Sequence, residues 1–227
     1  MIGPMLRVLV VALVVLVALM LAIPRPERAP GNAADTAAAI ETENATVYTP
    51  PRPLPDFELT DVDGRPFTKA SFADRFSLVF FGFTNCPDVC PITLQVLASA
   101  VERIETEAPD AVPTVVFVSV DPFRDTPERI RAYLSGFDPS FEGVTGPDER
   151  LEPLLRALGV HVEKHEHHGE QYNVVHSGVV FFVGPRAEVL AISSPPNKPS
   201  AIASDYLAVR NAYLERGPTS AEAQPAP

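Results

Sequence analysis

Apolar residues follow several rhythms along this chain. Residues 8–23 (VLVVALVVLVALMLAI) are apolar without a break. With Met5, Leu6 and Arg7 in front, the run reaches the short end of what a bilayer-spanning helix needs. A cleaved signal peptide would end in a small-residue site, whereas this run ends in Ile23-Pro24-Arg25-Pro26. The pattern therefore predicts an uncleaved N-terminal membrane anchor over residues 1–24, a single transmembrane helix that exports the rest of the chain. No cysteine stands directly after it, which excludes a thioether-linked lipid there. Arg7 on one side, and Arg25 and Arg28 with Glu27 on the other, hardly bias its orientation.

Residues 25–50 are rich in Pro, Ala, Thr and Asn and read as a linker, a character that runs on to Pro55. Asn44-Ala45-Thr46 forms a glycosylation triplet of a kind that arises readily by chance. Residues 217–227 (GPTSAEAQPAP) read as a disordered tail. Between them, residues 51–216 alternate. Phe57–Thr60 predicts a strand turned at Asp63-Gly64 onto Arg65–Phe67. Ser77–Phe83 (SLVFFGF) and Thr114–Val120 (TVVFVSV) are continuous apolar runs, as in buried central strands. Leu94, Leu97, Ala98, Val101 and Ile104 recur at helical spacing over 91–108. Asp125-Thr126-Pro127 supplies a cap with proline at the first helical position, for a helix running to about Phe137. Asp148–Gly159 predicts a helix closed by Gly159. Val174-Val175 and Val179–Val183 predict strand, Glu188–Ile192 pairs back, and Ala201–Arg216 is the closing helix. The alternation implies an α/β domain with a central mixed β-sheet, partly parallel, flanked by helices on both faces.

A chain of 227 residues holds one such domain plus a tether, and a second full domain would be cramped. The chain has 18 basic and 29 acidic residues; setting aside Arg7, Arg25, Arg28 and Glu27 leaves 15 and 28, a net −13 for residues 29–227. Nucleic-acid phosphates need a basic face, so nucleic acid is excluded as a partner, and an exported domain meeting a basic partner fits. Only Lys69, Lys164 and Lys198 are lysines while Ala and Pro abound, a composition that points to a GC-rich bacterial source.

The chain's two cysteines, Cys86 and Cys90, lie in FGFTNCPDVCP, between a central strand and the next helix. In open α/β sheets that crevice is where ligands collect. Two cysteines so close in an exported domain read as a redox pair, a metal pair or both; two merely structural thiols are the bland alternative. Because a residue before proline avoids the α region, Pro91 is expected as the first helical residue and Cys90 as the N-cap, with Cys86 in the preceding loop. The helix dipole would then favour thiolate at Cys90. Three intervening residues leave room for a metal between the sulfurs and still permit a disulfide. Thiolates select copper(I), zinc or iron–sulfur, and two leave the site open. His176, in NVVHSG before a strand, would alone read as a structural histidine, and beside a cysteine pair it reads as a third ligand.

FGFTNCPDVCP, then SVDPFRDTPE (Ser119–Glu128), then YNVVHSG (Tyr172–Gly178), in that order, resemble the Sco/SenC copper proteins over roughly residues 50–216. The resemblance implies a thioredoxin-like fold on one membrane anchor and copper, as Cu(I) or Cu(II), bound by Cys86, Cys90 and His176. It implies a metallochaperone in the bacterial inner membrane, its domain in the periplasm. That protein would help assemble the copper A centre of cytochrome c oxidase, with the oxidase copper-binding subunit and other periplasmic copper chaperones as partners. It also implies that the Cys86/Cys90 pair acts as a thiol–disulfide reductant toward the oxidase subunit's cysteines. Three functions thus stand side by side: a copper assembly factor that is not an enzyme, a thiol–disulfide oxidoreductase, and a peroxidase-like thiol protein. The imidazole and the wide cysteine spacing favour the first, and no arginine is clearly placed beside Thr84 and Cys86 for the third. Asp121 and Arg124 read as a turn and helix cap, or else as partner-docking residues. The cluster His161, His165, His167 and His168 departs from the family pattern. It reads as a polar hairpin tip, with a second, metal-collecting loop as the sharper alternative.

Overall fold

The computed structural model describes residues 40–166, 172–175 and 178–217. Its strands are β1 (Ala45–Pro53), β2 (Glu58–Asp61), β3 (Pro66–Thr68), β4 (Ser77–Gly82), β5 (Thr114–Ser119), β6 (Glu142–Thr145), β7 (Glu163–Glu166), β8 (Tyr172–Val175), β9 (Val180–Val183) and β10 (Glu188–Ser193). Its helices are α1 (Val89–Glu107), α2 (Pro127–Leu134), α3 (Asp148–Leu158) and α4 (Pro199–Arg216).

The two unbroken apolar runs become the centre of one eight-stranded mixed sheet, ordered β1-β10-β9-β4-β5-β6-β2-β3. β4 is buried along its whole length and pairs in parallel with β5, from Ser77 opposite Thr114 to Gly82 opposite Ser119. β5 and β6 are also parallel, while β9 runs antiparallel to β4. Side chains alternate between the faces of a strand, which sorts the helices. On one face Phe117 meets Tyr133 of α2, and Phe182 meets Tyr206 of α4, which packs beside α1. On the other, Val79, Phe81, Val118 and Phe181 meet Leu154 and Leu158 of α3. A mixed sheet with helices on both faces is the architecture expected.

Three departures have physical causes. β1 begins at Ala45, inside the stretch whose composition reads as linker. It is an edge strand on β10, and its register breaks between Val47 and Arg52, so Pro50 and Pro51 lie where no ladder donor is required. β6 has too few apolar residues to announce itself. Gly143 is at its centre because a Cβ there would collide with the Ile130 side chain on α2. The third departure is the start of α1, described with the site. β7 and β8 form a separate two-stranded hairpin, with Glu163 opposite Val175 and Glu166 opposite Tyr172. The tip expected of the histidine-rich segment, with His167 and His168, lies outside the described residues. The run read as an anchor lies outside the described residues, among which no helix is long and apolar enough to cross a membrane.

Candidate metal centre

The site grows from the end of β4. Phe83 ends the buried run, and the Cys86 backbone N–H donates to the Phe83 carbonyl at 3.2 Å, closing a tight turn. α1 starts at Val89 with Asp88 as its cap, and the Ile92 N–H donates to the Asp88 carbonyl. Cys90 is therefore the second residue of the helix, not its cap, and Pro91 is the third. This corrects the expected boundary: the first helical N–H groups have no partner within the helix, so a proline fits anywhere in that turn.

The turn brings the sulfurs together. The Cys90 backbone N–H donates to Cys86 Sγ at 3.4 Å. Cys86 is partly exposed and Cys90 is fully buried, both as thiols. The Cys90 thiol is pushed up in pKa, first by its hydrogen bond to the Cys86 sulfur and then by burial, against the pull of the Phe83 backbone N–H. The helix dipole acts the other way but is a smaller effect, about 2 kcal/mol at most. Cys90 is thus held as the thiol, contrary to the expected thiolate, and Cys86 is the sulfur that solvent reaches. Gly82 makes room for this arrangement. A Cβ there would sit 2.9 Å from Cys90 Sγ and 2.7 Å from the Phe117 ring.

A buried aspartate fixes the loop from below. Asp125, 1% exposed, accepts from the Thr84 N–H (2.9 Å), the Thr84 hydroxyl (2.5 Å) and the Ser119 hydroxyl (2.6 Å). It ties the cysteine loop to the end of β5, while its neighbour Thr126 caps α2. Arg129, on the first turns of α2, donates from Nε to Thr84 Oγ1 at 2.9 Å and from Nη2 to the Asn85 amide oxygen. The sequence placed Asp125 in the capping triplet Asp125-Thr126-Pro127 and gave no sign that it, Ser119 or Arg129 supports the loop. The spacing of Ser119, Asp125 and Arg129 along the strand-to-helix segment was the available signal.

Asp121 and Arg124 pair with each other within the turn. Asp121 is fully buried, and the Arg124 guanidinium lies 5.8 Å from the Phe83 ring centre. The residue that this turn presents to solvent is Phe123, 73% exposed.

His176 lies outside the described residues, as do His167 and His168. His161 is exposed just after α3, and His165 falls in β7 opposite Asn173. Among the described residues no cluster of three metal-ligating side chains forms. Gly178, two residues after His176, is described. A Cβ on it would lie 2.9 Å from Val89 of α1 and 3.0 Å from Pro195, and its carbonyl accepts from Asn197 Nδ2 at 3.0 Å. Gly178 thus rests against the residue preceding Cys90.

The chain is similar to several known proteins. A Stutzerimonas stutzeri protein is 36% identical over 157 residues, covering 69% of this chain and 76% of its own. The Arabidopsis thaliana mitochondrial SCO1 homolog 1 is 38% identical over 130 residues, 57% of this chain but only 38% of the plant protein. The crystal structure of Arabidopsis thaliana ScoI with copper bound matches with a TM-score of 0.67 at 29% identity, over 70% of this chain and 99% of that one. The SCO1/SenC family model matches residues 48–210, which include both cysteines, the Asp125 clasp and His176, and the chain belongs to that family.

Proposed function

We propose that this chain is a copper metallochaperone that binds its cargo through Cys86, Cys90 and His176 and helps assemble the copper A centre of cytochrome c oxidase. The observation that carries the reading is the cysteine pair, one thiol buried and one partly exposed, set on a clasped loop whose helix packs against Gly178, two residues after His176 in the sequence. A two-residue reach from Gly178 is about 7 Å, enough to bring an imidazole to the mouth of the loop. Two thiolates and one imidazole suit a soft metal, and three ligands leave copper open to a partner's sulfur. Cys86, at the surface, meets that sulfur first. Phe123 and Ile92, 73% and 58% exposed, are apolar and well placed for a partner protein. Residues 1–24 anchor the chain in the bacterial inner membrane, and the domain works in the periplasm.

A second reading rests on the contact between the two sulfurs. A Cys86 thiolate attacks a partner disulfide and forms a mixed disulfide. Cys90 then gives up its proton and attacks Cys86 Sγ, releasing the partner as a dithiol and leaving the pair oxidised. With the Cys90 backbone N–H already bonded to Cys86 Sγ, the Cys90 side chain has little distance to travel for that closure.

Metal analysis of the reduced full chain tests the first reading: one copper(I) per chain is expected. His176→Ala should weaken binding without preventing a Cys86–Cys90 disulfide. Unimpaired copper affinity in that variant would remove His176 from the site.

A further inference from the structure

Phe83, Thr84, Asn85 and Cys86 form a tight turn, closed by the Cys86 N–H on the Phe83 carbonyl. One arginine holds both of its central residues. Arg129 donates from Nε to Thr84 Oγ1 at 2.9 Å and from Nη2 to Asn85 Oδ1. The Thr84 hydroxyl gives its single proton to Asp125 at 2.5 Å, so it meets the guanidinium as an acceptor. Helix chemistry does not account for an arginine here. Arg129 is the third residue of α2, where the positive end of the helix dipole disfavours a cation. The nearest arginines along the chain, Arg124 and Arg131, pair with Asp121 and Asp63, whereas Arg129 gives these donors to two neutral oxygens. A surface arginine set against the dipole and turned onto neutral acceptors is explained by what it holds, the turn that ends in Cys86.

We propose that Arg129 is the positioning residue of Cys86: by stapling the two residues that lead into it, the guanidinium sets how readily this sulfur exchanges metal or disulfide. The inference rests on the reading of Cys86 and Cys90 as the working pair. Asp125 grips Thr84 from the buried side, through both its N–H and its hydroxyl, and keeps that hold without the arginine. Asn85 is exposed, and Arg129 is its tie to α2. Loss of the fork therefore frees the outer half of the turn, next to Cys86, and leaves the sheet and α2 intact. Both bonds face water, so they add little to global stability. A lysine keeps the charge, but an ammonium on a flexible stem does not reproduce the planar fork that spans two acceptors.

Arg129→Lys in the full chain separates the fork from the charge. Its denaturation midpoint should match wild type. A copper-free arm uses the disulfide reagent DTNB on the dithiol, where Cys86, the partly exposed thiol, displaces the first thionitrobenzoate. That release should quicken about fivefold, the scale of one exposed hydrogen bond. Copper(I) loss to a chromophoric chelator should quicken by a similar factor. Asn85→Ala cuts one arm of the staple and should move both rates in the same direction. Adding Arg129→Lys to Asn85→Ala should then change them by a smaller factor, because part of what the arginine held is already gone. The full factor in the Asn85→Ala chain would show that Arg129 reaches Cys86 by another route, and would overturn the inference. Unchanged rates in Arg129→Lys would overturn it as well. So would a lowered denaturation midpoint that accounts for the faster rates, since Arg129 would then be a structural post. If wild type and a Cys86→Ala, Cys90→Ala chain bound copper alike, the copper reading would fail instead, and the DTNB arm would still decide the role of Arg129.

Discussion

Asp125 and Asp205 are both 1% exposed, and each accepts three hydrogen bonds, yet they hold the chain by opposite means. Asp205, in the middle of α4, takes three consecutive backbone N–H groups, those of Glu43 (2.6 Å), Asn44 (2.8 Å) and Ala45 (2.7 Å). It pins the start of β1 to the closing helix. Asp125 takes one backbone N–H and two hydroxyls, and one of those hydroxyls also accepts from Arg129. Backbone N–H groups can only donate, whereas a hydroxyl can donate or accept. The Asp205 clasp is therefore committed to a carboxylate, and the Asp125 clasp can rearrange. The inflexible clasp holds the edge of the fold, and the adaptable one lies under the cysteines, where ligands must shift as metal or disulfide comes and goes.

Replacing each aspartate by asparagine separates the two. Asp205→Asn keeps one good acceptor for Asn44 and Ala45 but turns an amide NH₂ against the Glu43 N–H. The expected loss is about 3 kcal/mol, from one unmet buried donor facing another, measured by chemical denaturation of the chain from Ile40 onward. The Asn44 side chain, which donates to Ser193 Oγ at 2.9 Å and to the Ser194 carbonyl at 2.8 Å, would lose its placement with it. Equal losses at 205 and 125 would break the comparison.

Asp125→Asn should cost about 1 kcal/mol, because the new amide can donate to Thr84 Oγ1 while that hydroxyl turns elsewhere. The larger consequence is expected at the site, where a loosened Thr84 lets the turn at Cys86 open. Cys86 in this variant should react faster with DTNB than in wild type, at nearly unchanged global stability. A variant that unfolds as readily as Asp205→Asn would show that Asp125 is a structural post and not an adjustable support.

This contrast also marks what was legible before the structure. The central strands announced themselves because β4 and β5 are apolar at nearly every position, and the cysteine pair because its spacing and its proline neighbours are unusual. The clasps did not. Asp205 sits in an otherwise ordinary helix and meets Glu43 across 162 residues, a pairing that no local pattern encodes. Asp125 was hidden inside the capping triplet whose cap is Thr126. The start of α1 was misplaced because the proline rule permits Pro91 at either the first or the third position, and only the turn from Phe83 to Cys86 decides. That one shift carried the error about Cys90. Its place within the first turn sets it against the Cys86 sulfur and under Gly82, where that hydrogen bond first and burial second outweigh the dipole.

Asp61 offers the smallest and sharpest test of whether burial or donor count sets the strength of such a clasp. It too accepts three hydrogen bonds, from the Asp63 N–H (2.9 Å), the Arg65 N–H (2.8 Å) and Arg65 Nε (2.8 Å), but near the surface. Partial burial works against its ionised form, and the hydrogen bonds from Arg65 and Asp63 outweigh it, so its carboxyl lies below the ordinary 3.8. A carboxyl with a depressed folded value stabilises the fold fully above the unfolded value and loses that contribution as pH falls through the folded one. Solvent screens the Arg65 pair, whose arginine side chain is 71% exposed, which keeps the contribution below about 1 kcal/mol. Asp61→Asn should therefore cost less than Asp125→Asn at neutral pH. Its stability should converge on that of wild type as the pH drops well below 3.8. A neutral-pH loss matching that of Asp205→Asn would mean that three donors suffice wherever the carboxylate sits. The adaptability of the Asp125 clasp would then have to come from Arg129, an exposed residue that reaches the clasp through Thr84.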